Sequence, residues 1–349
     1  MSNHVFYTHC PCPTAFGVAL RKGWIHEDLG AAGIEVRALG ASSDPDIQRF
    51  RRNRVSPRSF RQGGNVAPLI ARSRGNDVRL IGLTRISCQY PLLTLPGSGI
   101  RTANDLIGKR IAVPYRPNVS VDVARATALR TIQSLMGSSN LTLNEAEIVD
   151  VLIEGEYFDY GPRFGTELID GRQSGVATQA ASRQKSEVLA LIRGEVDVIA
   201  SEGATAATLS SSLGLVPVEP GSTAPDDLNN RSLLAVTVSG GLLDREPELV
   251  TRVLVQILAA AEWSVDEEAE SRRLLALDSG IHEDLLDVSF GGRANRQLSV
   301  DLRPDKIEAL RSQHDFLIEH GIFSNPVDFD SFIEPGPLKA ALAQRGVLV

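Results

Sequence analysis

The sequence predicts an α/β fold organised as two lobes. Short apolar runs with strand character alternate with amphipathic helical segments along most of the chain. A second α/β region begins after about residue 113, with no internal repeat of the first. At 349 residues the chain is also long enough for two lobes with real cores, and its 42% apolar and 23% charged content is ordinary for a globular protein.

The elements follow in order. Val5-Phe6-Tyr7 forms the first apolar run, and residues 14–20 begin an amphipathic helix that ends near Gly23-Trp24. Residues 33–39 alternate as a strand should, and residues 66–72 read as a helix starting just after Gly63-Gly64. Residues 78–84 are a buried strand, and 100–114 give a short helix, a glycine stop and a strand. In the second region, 121–136 is helical and 146–151 is a strand. Residues 182–193 form a helix, and strands follow at 194–200 and 213–218. Residues 233–239 begin the return, a helix runs from 246 to about 266, and the remainder is mostly helical, notably 304–321.

The bulk chemistry narrows the possibilities. A formal charge of −7 argues against nucleic acid as a partner, and no run of 18 apolar residues suggests a membrane-spanning helix. The N-terminus lacks the charged, apolar and small-residue regions of a secretory signal, so a cytoplasmic location is expected. Three cysteines fit that compartment: Cys10 and Cys12 are too close for an ordinary structural disulfide, and Cys88 makes the count odd. No second CxxC or HxxxH pair accompanies them, so a zinc site is not expected. Of six histidines only His9 lies beside a candidate site, and neighbours on a strand point to opposite faces.

Cys10 is the most informative residue. It lies in Tyr7-Thr8-His9-Cys10-Pro11-Cys12-Pro13, at the end of an apolar run and ahead of a helical pattern. In an open α/β sheet ligands bind at the carboxyl ends of strands, and a nearby helix start favours the thiolate. A second constellation is Arg61-Gln62-Gly63-Gly64. Arginine grips oxyanions bidentately, and the Gly63-Gly64 amides ahead of a helix can supply further donors.

These patterns resemble known proteins. Residues 102–113 and 194–199 are similar to segments of sulfonate-, nitrate- and taurine-binding proteins. The order of elements resembles their type II periplasmic-binding-protein fold, which implies two α/β lobes with a ligand cleft between them. On that reading residues 1–112 and 235–349 form lobe 1, carrying Cys10 and Arg61, and residues 113–234 form lobe 2.

The N-terminal third is most similar to the 2′-hydroxybiphenyl-2-sulfinate desulfinase family. Residues 7–13 match that family's Tyr-Ser-Asn-Cys-Pro-Val-Pro segment, which implies that Cys10 is the nucleophile. Residues 61–64 match its Arg-Phe-Gly-Gly segment, which implies sulfinate binding by Arg61 and Gly64. The family's active-site histidine lies ten residues before its arginine, and here that position is Arg51, within an arginine-rich loop over 49–61. With 5% aromatic residues and only Trp24 and Trp263, the chain does not offer the family's biphenyl-holding tryptophan segment in lobe 2.

The candidate catalytic residues are therefore Cys10, Arg61 and His9. Candidate substrate contacts are Thr8, Gly63, Gly64, Arg51 and Glu202, the last at the end of a lobe-2 strand. Tyr157 and Tyr160 join them from residues 154–176, an aperiodic polar and aromatic stretch read as a lid; ordinary packing against lobe 2 is its alternative. The resemblance implies cofactor-independent cleavage of a C–S bond, or a related hydrolytic cleavage, in a small anionic substrate, with no protein or membrane partner. The competing reading is a non-catalytic binding protein for a sulfonate-, carboxylate- or nitrate-like molecule. The thiamine-pyrimidine synthase branch of the fold ranks last, since Cys10-Pro11-Cys12 lacks its cysteine-dense motif.

Overall fold

The computed structural model describes residues 3–39, 58–117, 119, 122–154, 184–221 and 233–346. Arg51, Tyr157, Tyr160 and the expected lid beyond Glu154 lie outside the described residues. The strands are β1 (His4–His9), β2 (Glu35–Ala38), β3 (Ser59–Gly64), β4 (Val78–Arg85), β5 (Leu92–Thr94), β6 (Arg110–Tyr115), β7 (Glu147–Leu152), β8 (Val198–Ala200), β9 (Val216–Pro217) and β10 (Leu233–Ser239). They form two five-stranded sheets, ordered β2-β1-β3-β10-β4 and β7-β6-β8-β5-β9. In the first sheet β1 runs parallel to both β2 and β3, while β10 returns antiparallel between β3 and β4. The second repeats the plan, with β6 parallel to β7 and β8 and β5 antiparallel to β8 and β9.

The chain changes sheet between β4 and β5 and again between β9 and β10. The boundary expected at residue 112 falls inside β6, and β5 already pairs in the second sheet. Leu80 and Leu83 of β4 share one hydrophobic cluster with Leu92, Ile111 and Val113, so apolar packing is continuous across the two sheets. On the other face of the first sheet, the helices Ala15–Arg21 and Pro247–Asp266 pack through Phe16, Val18, Leu254 and Ile257.

Local chemistry explains the start of the chain. The Thr14 hydroxyl accepts the Gly17 N–H at 2.9 Å and caps the first helix, which ends at Arg21. Gly23, at φ 79°, turns the backbone straight into a second helix, Trp24–Ala31. The sequence reading missed that helix because it buries only Ile25 and Leu29, an i,i+4 pair too thin to stand out as a stripe.

A larger correction concerns β3. The sequence reading placed Arg61 in a loop, whereas Ser59–Gly64 is an interior strand between β1 and β10. Its Ser-Phe-Arg-Gln-Gly-Gly composition carries no apolar alternation, and glycine is poor in strands. Tertiary partners stabilise it instead. Gln62, fully buried, accepts the Phe16 N–H at 3.1 Å and donates to Thr84 Oγ1 at 3.1 Å.

Candidate functional site

The site is built where β1 and β3 end side by side. Thr8 lies in register with Arg61 and His9 with Gln62, and the Cys10 N–H continues the ladder by donating to the Gln62 carbonyl at 3.0 Å. The chain then folds back at once, with the Cys12 N–H donating to the Cys10 carbonyl at 2.8 Å. Because side chains alternate along a strand, Thr8, Cys10, Arg61 and Gly63 share one face.

On that face Arg61 Nη2 donates to Cys10 Sγ at 3.6 Å, and Arg61 Nη1 donates to the Gly64 carbonyl at 3.1 Å. The backbone thus holds the guanidinium over the sulfur. Gly63 is what makes room. A Cβ there would land on Cys10 Sγ, 2.9 Å from Cys10 Cβ and 3.1 Å from Arg61 Nη2. Gly64 differs, since a Cβ on it would meet nothing within 4 Å. Both glycines belong to β3, opposite Ala235 and Leu234 of β10, and the following helix starts only at Val66.

The opposite face carries His9. Its Nε2 lies 3.7 Å from Asp278 Oδ1, and the same carboxylate is hydrogen-bonded by Arg21 Nε. The Asp278 side chain is 1% exposed. Burial alone raises its pKa, but His9 and Arg21 outweigh burial and hold the carboxyl below the usual range. Gly17 makes this approach possible, because a Cβ there would collide with the carboxylate. His9, a candidate catalytic residue from the sequence, is therefore directed to a buried ion cluster on the far side of the sheet from Arg61.

A third group lies beyond Cys12. The crossover segment after β4 brings Cys88 and Tyr90 together, and the Cys88 thiol donates to the Gln89 carbonyl at 3.8 Å. Its backbone is pinned on both sides: Gln89 N–H to the Ser289 carbonyl at 3.0 Å, and Gly203 N–H to the Gln89 carbonyl at 2.7 Å. Gly203, at φ 42°, begins the helix Gly203–Leu213, and a Cβ on it would lie 3.0 Å from Cys88 Sγ. Glu202 is the capping residue of that helix and makes no side-chain cap bond.

Burial drives the Cys12 thiol well up, and Cys10, Cys88, Asp278 and Glu202 add to it in that order. Burial and then Glu202 push Cys88 up, and burial, Cys88 and Glu202 push the Tyr90 phenol well above its usual value. These groups hold their protons at neutral pH. Sequence reasoning missed Tyr90, Asp278 and Gln62. For Tyr90 a signal existed, since Cys88 and Tyr90 sit two apart on an extended segment and so share a side. Among the described residues no group of three His, Cys, Asp or Glu side chains is placed to hold a metal ion.

No family model matches the chain. The 2′-hydroxybiphenyl-2-sulfinate desulfinase of Rhodococcus erythropolis is 25% identical over 359 residues, spanning 96% of this chain and 93% of that protein. Among solved structures, a Cys→Ser variant of DszB in complex with biphenyl-2-sulfinic acid aligns with a TM-score of 0.75 at 23% identity, covering 99% of this chain and 100% of that one. The periplasmic sulfonate-binding protein SsuA of Methylobacillus flagellatus aligns at 0.69 with 15% identity, covering 99% and 95%. The structural likenesses establish the fold. The chain is a homologue, over nearly its whole length, of 2′-hydroxybiphenyl-2-sulfinate desulfinase, built on the two-sheet α/β fold of the sulfonate-binding proteins.

Proposed function

We propose that this protein is an enzyme that cleaves the carbon–sulfur bond of a small organic sulfinate, with Cys10 as nucleophile and Arg61 as the anion-binding group. The observation that carries this reading is the contact of Arg61 Nη2 with Cys10 Sγ over the bare α-carbon of Gly63. That contact supports a thiol and an anion-binding guanidinium acting on one substrate. Homology to a desulfinase along the chain supplies the reaction class.

The Arg61 contacts with Cys10 and Gly64 engage two of the five guanidinium N–H groups, and the remaining fork suits a sulfinate oxygen pair. The Cys10 thiolate attacks the sulfinate sulfur. Carbon leaves with the bonding pair and takes up one proton, giving R–H and a Cys10–S–SO2⁻ adduct. Water then displaces the cysteine sulfur, releasing bisulfite. The sum, sulfinate plus water to hydrocarbon and bisulfite, needs no electron carrier. Trp24 and Trp263 pack edge-on against each other, ring centroids 5.9 Å apart, so this pair does not supply a biphenyl-holding wall.

The second reading, a protein that binds a sulfonate-like anion without changing it, is supported by the likeness to SsuA. Intact-protein mass spectrometry with a panel of aryl and alkyl sulfinates, alongside a sulfite assay, separates the two. Sulfite release or an adduct, either abolished in Cys10→Ser, supports the cleavage reading. Thermal stabilisation by the same anions without adduct or sulfite supports the binding reading instead.

A further inference from the structure

The segment that carries Cys10 is poor in backbone donors. Pro11 and Pro13 have no N–H, and the Cys12 N–H goes to the Cys10 carbonyl at 2.8 Å. Both ends of residues 10–16 are instead bonded to one residue of β3. The Cys10 N–H donates to the main-chain carbonyl of Gln62 at 3.0 Å, and the Phe16 N–H donates to its side-chain Oε1 at 3.1 Å. We infer that Gln62 is a positioning residue, which clasps residues 10–16 at both ends and so sets the Cys10 sulfur against Arg61. Its effect on turnover rests on the proposed cleavage reaction, whereas its effect on the placement of Cys10 does not.

Three consecutive residues of β3 divide the work. Arg61 and Gly63 share the Cys10 face, where one supplies the guanidinium and the other the clearance. Gln62, between them, projects from the opposite face with His9, its partner in register. It therefore acts on Cys10 through the backbone and through the first helix, without touching substrate.

The Gln62 amide is itself anchored. Its Nε2 donates to Thr84 Oγ1 at 3.1 Å, on β4, with β10 lying between the two strands. Gln62 and Thr84 are both fully buried, so water does not replace these bonds when they are removed. The Phe16 N–H is among the first amides of the helix Ala15–Arg21 and has no acceptor within that helix. The Thr14 hydroxyl takes the next one, from Gly17. The Gln62 side chain thus fixes where the helix begins, while its carbonyl fixes where β1 ends. Without the side-chain bond Gln62 holds the segment at Cys10 alone, and the sulfur can shift relative to Arg61 Nη2.

The test compares wild type with Gln62→Met, Gln62→Glu and Thr84→Val, each at a temperature where circular dichroism shows it folded. It reads sulfite release from benzenesulfinate, KM, the rate of Cys10 alkylation by iodoacetamide, and amide hydrogen exchange at Phe16. Methionine keeps the shape and removes both side-chain bonds. A misplacement of about 1 Å can cost about 10²-fold, so kcat should fall by about 10- to 100-fold while KM stays within about threefold. Cys10 alkylation should change by at least about threefold, and Phe16 should lose its protection. Glutamate keeps an oxygen for the Phe16 N–H and should restore most of each loss; a glutamate variant as impaired as the methionine one overturns the inference. A merely structural role would lower the melting temperature of Gln62→Met but leave kcat and alkylation of the folded protein at wild-type values, and that result overturns it too. If Gln62→Met does not fold, Thr84→Val decides: faster Phe16 exchange with altered alkylation supports the clasp, and unchanged alkylation overturns it. Absence of sulfite release from wild type would overturn the cleavage reading, while alkylation and exchange would still decide whether Gln62 places Cys10.

Discussion

The two faces of the first sheet at the end of β1 do opposite things with consecutive residues. On one face Cys10 meets Arg61, with a glycine beneath and partial exposure to solvent. On the other, His9 meets Asp278 and Arg21 in a cluster that is closed and ionic. The strand alternation that separates them also divides their roles. Among the described residues, Arg61 on the Cys10 face bonds Cys10 Sγ and the Gly64 carbonyl, whereas on the His9 face Arg21 and His9 share the Asp278 carboxylate. A buried charge is tolerated only when paired, so that second face acts as the anchor that holds the strand end in place.

The largest effect should come from the Cys10 face, if the proposed cleavage takes place there. Cys10→Ser should reduce sulfite release by more than about 10³-fold with little change in thermal stability, measured by assay and melting in parallel. Comparable activity in the serine variant would remove the nucleophile from the proposal.

The anchor face predicts the reverse. Asp278→Ala leaves Arg21 and His9 without their shared partner and should cost about 3–5 kcal/mol in urea unfolding. Its pH dependence has a definite sign. The folded Asp278 carboxyl lies below the ordinary range, so its contribution is fully present above the unfolded value near pH 4 and is lost as pH falls through the folded value. The stability gap between wild type and Asp278→Asn should therefore be constant at neutral pH and shrink on acidification below that point. A gap that widens in acid contradicts the ion-cluster account.

The smallest effects distinguish the two glycines. Gly63→Ala puts a methyl against Cys10 and Arg61 and should cost about 1–3 kcal/mol while altering the iodoacetamide reactivity of Cys10. Gly64→Ala meets open space and should change stability by no more than about 0.5 kcal/mol. Equal effects at the two positions would mean that steric clearance is not what Gly63 provides.

Much of this was legible in one dimension. Apolar periodicity located most strands and the long helices, because burial imposes a period of two on strands and 3.6 on helices whatever the fold. Residue types at Cys10 and Arg61-Gln62-Gly63-Gly64 pointed to a thiol and an anion clamp, since few side chains perform those roles. The resemblance put the two motifs on one protein. β3 escaped detection because its residues have no strand pattern of their own. The helix Gly203–Leu213 did too: it is made largely of small residues, and its stop lies at Gly214.

The sequence by itself determined the α/β class, the order of most elements and the candidate nucleophile. It also carried the neighbour rule that sets His9 and Cys10 on different faces. Only the tertiary structure decided what each face meets. Asp278 reaches His9 from a helix 269 positions further along the chain, and no local pattern encodes that meeting. Tyr90 and Glu202 approach each other for the same reason, as the chain crosses between sheets and comes back. Local sequence specifies conformation through steric and periodic preferences acting over a few residues. Partners in an active site are selected by long-range packing, and that becomes defined only when the cores close.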